Sequence, residues 1–110
     1  MQITEDKKGD VVILALSGKL DATTSKTFQD KLLADINSGD QRFVVDLSQL
    51  EYVSSSALRV FLLASKRLSS SEGKIVLCSL KDHVRQVFDL AGFSSILSIY
   101  SSRDEAFKNL

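Results

Sequence analysis

The stretch "RFVVDLSQLEYVSSSALRVFLL", residues 42–63, decides the fold. "RFVVDL", residues 42–47, is an apolar run of strand length, rich in β-branched residues. Helical spacing of apolar residues begins just past the three serines at 54–56 and runs to about Leu68. A strand that feeds a helix through so short a segment is the repeating unit of an α/β fold. One serine suffices to start the helix: the Ser54 hydroxyl can accept a hydrogen bond from the amide of Ser56 or Ala57. Ser55 then takes the first helical position and Ser56 the second, and capping requires neither.

Successive helical residues turn by about 100°, which sorts this second helix into two sides. Leu58, Phe61, Leu62, Ala64, Ser65 and Leu68 form the expected core side. Arg59, Leu63, Lys66 and Arg67 form the outward side, with Val60 at its border. Ser55 lies one turn before Arg59 and is expected to be exposed, whereas Ser56 should point nearer the core. Free amides and the helix dipole favour an anion at such a helix start. A phosphate on Ser55 would carry about two negative charges and could pair with Arg59. A leucine framed by arginine and lysine suits a partner surface that is apolar with an acidic rim.

The strand-to-helix unit recurs on both sides. Upstream, "VVILALSG" (11–18) reads as a buried strand, preceded by a short edge strand "QITE" and the turn residues "DKKGD". These two predict an antiparallel hairpin. "TTSKTFQDKLLADINSG" is the first helix, with Phe28, Leu32, Leu33 and Ile36 on one face and Lys26, Gln29, Asp30 and Asp35 as its polar residues. Thr23 or Thr24 is its expected cap, and Gly39 its stop. Downstream, Gly73 is expected to stop the second helix, and "KIVLCSL" is the next strand. Ser79 and Asp82 have capping-box spacing before a third helix with Val84, Val87, Phe88 and Ala91 on one face, ending at Gly92. "ILSIY" is a last strand, and Ser102 with Glu105 opens a short fourth helix. The predicted fold is α/β, with a mixed, mostly parallel sheet, an N-terminal antiparallel hairpin and about four helices, all within one domain spanning 1–110.

The bulk properties narrow the function. The chain has 110 residues, 44% of them hydrophobic and 25% charged, with fourteen basic and fourteen acidic side chains. Such a chain can bury a core, and its balanced charge gives no general attraction to nucleic acid or an anionic membrane. Cys78, the one cysteine, lies in an apolar strand and is expected to be a buried structural thiol. The charged start "MQITEDKKGD" lacks the apolar core of a signal peptide, and no apolar run is long enough to span a bilayer. A cytoplasmic protein is therefore expected, without direct nucleic-acid binding or membrane insertion. No nucleophile elbow, phosphate loop or zinc cluster is present, and the lone His83 opens the third helix as a surface residue. The reading is accordingly not an enzyme, with no cofactor.

In three stretches the chain resembles the STAS domain, the fold shared by sulfate-transporter cytoplasmic domains and anti-sigma factor antagonists. "LSGKLDATTS" is similar to that family's Gly-x-Leu-Asp segment, here Gly18, Leu20 and Asp21. "VVDLSQLEYVSSSALRVFLL" is similar to its Asp-x-Ser strand followed by Asp-Ser-Ser/Thr-Gly-Leu. "VRQVFDLAGFSSILSIYSSRDEAFKNL" is similar to its C-terminal helix, strand and helix. The resemblance implies a phosphorylation-switched regulator. It binds an anti-sigma factor that is itself a serine kinase, and so frees a sigma factor; a serine phosphatase restores the active form. It places the phosphorylation at Ser55, with Asp21 near it; taken with the outward side of the second helix, the expected partner contacts are Asp21, Ser55, Ser56, Arg59, Leu63, Lys66 and Arg67. Two residues depart from the pattern: Ser54 stands where the family has aspartate and Ala57 where it has glycine. Ser54 keeps the cap but not the charge. The alternative is therefore a non-phosphorylated STAS adaptor subunit in a signalling scaffold or transporter complex.

Overall fold

The structure is a computed structural model that describes all 110 residues. In chain order the elements are β1 (Gln2–Lys8), β2 (Val11–Leu20), α1 (Ala22–Asn37), β3 (Arg42–Val53), α2 (Ser55–Ser69), β4 (Lys74–Cys78), α3 (Asp82–Leu90), a 3₁₀ turn (Phe93–Ser95), β5 (Ser98–Tyr100) and α4 (Arg103–Lys108). The five strands lie in the order β1-β2-β3-β4-β5. β1 and β2 form the expected antiparallel hairpin, and every other neighbouring pair is parallel.

This order follows from connection length and handedness. Each parallel neighbour is reached by one helix, and right-handed crossovers to the adjacent strand stack all three crossing helices on one face. Strand residues alternate between two cores as a result. Phe43 and Val45 of β3, with Ile75 and Leu77 of β4, belong to a large cluster beneath α1, α2 and α3. Val44, Val76 and Cys78 point the other way, to a small cluster closed by Ala106 of α4. The large core is tied together by one phenylalanine from each crossing helix. Phe28 and Phe61 have ring centroids 5.2 Å apart, and Phe61 and Phe88 5.7 Å. Such tilted pairs add to the burial energy of the rings themselves.

Helix ends show where local signals compete. The N-cap of α1 is Asp21, not Thr23 or Thr24; Thr24 instead returns its hydroxyl to the Asp21 backbone, completing a reciprocal box. The Ser79–Asp82 box does not form. Ser79 has a left-handed backbone (φ 63°), and α3 starts after Lys81 with no side-chain cap. Beyond α2 the left-handed residue is Glu72 (φ 62°) rather than Gly73. Gly73 is required for space: a Cβ there would stand 2.6 Å from the Gln41 carbonyl oxygen. Gly39 and Gly92 do take positive φ after α1 and α3, as the sequence predicts. Phe93 packs on the core, while Ala91 is exposed rather than part of the α3 core stripe. β3 continues to Val53, six residues past its predicted end, and β5 begins only at Ser98 because residues 93–95 form the 3₁₀ turn. Ser102 caps α4 by accepting from the Glu105 amide at 3.2 Å. The Glu105 carboxylate accepts from Ser101 instead of closing the box.

Candidate functional site

In a parallel sheet, successive βα loops emerge at the carboxyl ends of the strands. β2 and β3 are neighbours, so Asp21 and Ser54 end up side by side. The Ser54 amide donates to the Leu20 carbonyl at 2.9 Å, which joins the two loops directly. Thr24 Oγ1 donates to the Lys19 carbonyl at 2.8 Å and fixes the first turn of α1 against the same edge. The third loop is tied in from β4. Lys81 forms an ion pair with Glu51, and His83 Nε2 lies 2.7 Å from the Glu51 carbonyl oxygen. His83 is exposed, as expected, and serves this join. Three loops distant in sequence thereby make one surface.

The three serines divide their tasks. Ser54 Oγ accepts from the Ala57 amide at 3.2 Å, the capping bond the sequence predicts. Its other contact is Ser56 Oγ, at 2.9 Å. Ser56 is exposed, not turned toward the core, because this hydroxyl pair holds it over the first turn. Ser55 is exposed and its hydroxyl has no protein partner. It is the free hydroxyl of the three, at the first position of a helix whose first turn contains no acidic side chain. Ala57 is completely buried, so its methyl packs into the core rather than facing a partner.

The outward side of α2 carries most of what the wheel assigns to it. Arg59, Lys66 and Arg67 are exposed, and Leu63 keeps 41% of its surface in solvent. Arg59 and Lys66 make no ion pair, whereas the Arg67 guanidinium donates to Asn37 Oδ1 of α1 at 2.7 Å. Val60, placed at the border of this side, is 4% exposed and belongs to the large core. The apolar feature of the face is therefore Leu63, with unpaired cations before and after it.

Asp21 is held differently. Its carboxylate accepts from the amides of Thr24 and Thr23, each at 3.0 Å, and shares the Thr24 hydroxyl proton, at 3.1 Å, with the Lys19 carbonyl. The Thr24 amide, followed by the Thr24 hydroxyl, holds its carboxyl below the ordinary aspartate range. Asp21 is thus ionised and fully engaged. No group of three or more His, Cys, Asp or Glu side chains converges on a metal-sized site, and no helix is long and apolar enough to cross a membrane. Cys78 is buried, and burial pushes its thiol up.

Sequence reasoning overlooked Asp46, the first residue of the Asp-x-Ser segment. Burial raises its pKa, but the Ser48 amide at 2.9 Å and the Arg103 guanidinium at 2.6 Å outweigh this and keep the carboxyl low. Asp46 pins α4 to β3, so this part of the motif is structural. The available signal was an aspartate inside an apolar strand, which demands a partner.

Comparison with known proteins identifies the family and the fold. A family model described as the STAS domain matches residues 2–106. "Putative anti-sigma factor antagonist BtrV" of Bordetella bronchiseptica is 41% identical over 106 residues, covering 96% of this chain and 91% of that protein. An anti-sigma F factor antagonist of Paenibacillus polymyxa is 28% identical, covering 100% and 95%. A Thermotoga maritima crystal structure described as a putative anti-sigma factor antagonist superposes with a TM-score of 0.92 at 28% identity, covering 97% and 92%.

Proposed function

This chain belongs to the STAS domain family, and we propose that it is an anti-sigma factor antagonist whose partner binding is switched by phosphorylation of Ser55. The observation that carries the reading is the free Ser55 hydroxyl. It is exposed at the start of α2, while Ser54 and Ser56 hold each other. In the unmodified state the surface around Asp21, Ser55, Ser56, Arg59, Leu63, Lys66 and Arg67 binds an anti-sigma factor that is also a serine kinase. Partner binding releases the sigma factor. A phosphate on Ser55 meets the amides of the first α2 turn and the unpaired Arg59 one turn on, so the modification stabilises the domain. The same phosphate adds charge and bulk beside the contact surface and weakens binding. A serine phosphatase resets the switch. On this reading residues 1–110 act as one non-enzymatic regulatory domain in the cytoplasm.

The absence of a carboxylate at Ser54 favours a second reading, a constitutive adaptor that binds without modification. One experiment separates them. The chain is incubated with ATP and the serine kinase that co-purifies with it from its native cell, and the site is mapped by mass spectrometry. The expected result is a single phosphate, lost in Ser55→Ala, with Ser55→Asp raising the melting temperature while lowering affinity. Phosphate incorporation undiminished in Ser55→Ala removes Ser55 from the mechanism. No phosphorylation, with binding insensitive to Ser55→Asp, selects the adaptor.

A further inference from the structure

A second cluster lies away from the serines, where the edge strand β1 meets α1. Asp35 is fourteen residues along α1 from Asp21, about 21 Å by helical rise. Cross-strand partners share a face of the sheet. Ile3, Glu5 and Lys7 of β1 stand opposite Leu16, Leu14 and Val12, all residues of the large core, so they point to the helix-covered side. Asp35 follows Phe28 and Leu32 on the buried stripe of α1 and is 8% exposed.

The charges there do not balance. Lys31 Nζ lies 2.9 Å from Glu5 Oε1 and 3.4 Å from Asp35 Oδ1, so one ammonium serves two carboxylates. Asp35 Oδ2 is buried with no hydrogen-bond donor. The remaining charged groups are engaged elsewhere. Lys7 of β1 pairs with Asp40 at 2.9 Å, and Arg67 of α2 is held by Asn37. A buried carboxylate oxygen without a donor is costly, and two carboxyls in contact resist simultaneous ionisation. The Glu5 and Asp35 carboxyls converge on the same Lys31 ammonium, which brings them together. A proton on Asp35 removes one of the two competing charges, gives the carboxyl a hydrogen to donate and leaves one carboxylate for Lys31.

We propose that Glu5 and Asp35 share one proton and form a proton-operated latch that holds edge strand β1 against α1 and loosens when both are ionised. Burial, and then the neighbouring Glu5, push the Asp35 carboxyl up to about 6, while its contact with Asp35, and then Lys31, holds Glu5 below its ordinary value. The directions define a window. Asp35 contributes stability fully present below its ordinary value of 3.8, and that contribution is lost as pH rises through about 6. Glu5 acts in the opposite sense, losing its contribution as pH falls below 4.5. The one-proton latch is therefore closed in mildly acidic conditions and open at neutral pH.

The test is a carboxyl titration of the full chain by NMR, with amide exchange of β1 and β3 measured at pH 5 and pH 7.5 and corrected for intrinsic rates. The Asp35 carboxyl is expected to titrate near 6 and to fall back toward the ordinary aspartate range in Glu5→Gln. Protection of β1 relative to β3 should drop by about tenfold on going to the higher pH, and this drop should vanish in Asp35→Asn. Glu5→Gln carries the test if Asp35→Asn does not fold. An Asp35 midpoint in the ordinary range, a midpoint unmoved by Glu5→Gln, or β1 protection that follows β3 at both pH values overturns the latch.

Discussion

The helices α1 and α2 begin side by side at the carboxyl ends of adjacent strands, yet their first turns are finished in different ways. At α1 a carboxylate, Asp21, takes two amides and a hydroxyl, and Thr24 closes the box in return. At α2 a neutral hydroxyl, Ser54, takes one amide, and the next residue is an exposed serine with no partner. Both helix dipoles present partial positive charge here. In α1 that charge is already met by an anion; in α2 it is not. The contrast continues along the exposed sides. Lys26 and Asp30 of α1 form their own i,i+4 pair, at 3.7 Å, whereas α2 shows Leu63 between unpaired Arg59 and Lys66. One helix start is complete within the chain, and the other is left for an external group.

The largest effect tests whether the open side of α2 is a binding surface at all. Leu63→Asp should weaken partner affinity by at least about thirtyfold, on the order of 2 kcal/mol for an apolar anchor. It should move the melting temperature little, because the side chain is already half exposed. Titration calorimetry with the purified anti-sigma partner, beside a thermal melt, reads both. The matched change on α1, Gln29→Asp, should leave affinity unchanged. If the two variants bind alike, α2 is no more a contact surface than α1.

Much of this contrast could be read before any coordinates. The strand-helix alternation, the Ser54 cap and the outward set Arg59, Leu63 and Lys66 follow from periodicities of 2 and 3.6, which act locally. The misreadings arise where two local signals compete or where a contact spans the chain. Thr23 and Thr24 look like caps, but Asp21, directly after β2, accepts from their amides with a charged carboxylate. Ser79 has capping-box spacing, but the strand-to-helix turn places it in a left-handed conformation, out of reach of the helix amides. The sequence sets Asp35 among the polar residues of α1, yet it lies seven residues after Phe28 on the buried stripe, so its burial as well as its partner went unread. Glu5 is thirty residues earlier, and only the pairing of β1 with β2 brings it there. The Asp46–Arg103 pair spans the sheet's other face in the same way.

The capping contrast gives an intermediate effect. Ser54→Ala should cost about 1 kcal/mol, as loss of one cap acceptor does. Asp21→Ala should cost more, since two amides lose a charged acceptor while the Thr24 hydroxyl keeps only the Lys19 carbonyl. The pH dependence separates the two further. The Asp21 carboxyl lies below its ordinary value in the folded chain, so its contribution is present above 3.8 and is lost as pH falls through the folded value. The difference between wild type and Asp21→Asn should shrink in acid, while the Ser54→Ala difference stays constant from pH 3 to 7. Urea unfolding at several pH values measures this. Equal pH dependence for both variants would mean that Asp21 is not the charged cap that sets α1 apart.

The smallest effect is the most selective for the asymmetry, because it adds the same charge at the same helical position in both helices. Ala22 and Ser55 are each the first residue of their helix, and both are exposed. An aspartate at either position approaches the same kind of dipole, ordinarily worth a few tenths of a kcal/mol to about 1. At α1 the incoming charge meets Asp21, already ionised one residue away, and the repulsion offsets the dipole term. At α2 it meets a neutral cap, free first-turn amides and Arg59 four residues on. Ser55→Asp should therefore raise stability by about 0.5 kcal/mol, and Ala22→Asp should leave it unchanged or lower it. Salt provides the control, since both terms are surface electrostatics with a screening length near 8 Å at physiological ionic strength. The gain at Ser55 should fall toward zero at 1 M sodium chloride. Equal gains at the two positions would show that the start of α2 has no special appetite for an anion, and the phosphate switch would lose its physical basis.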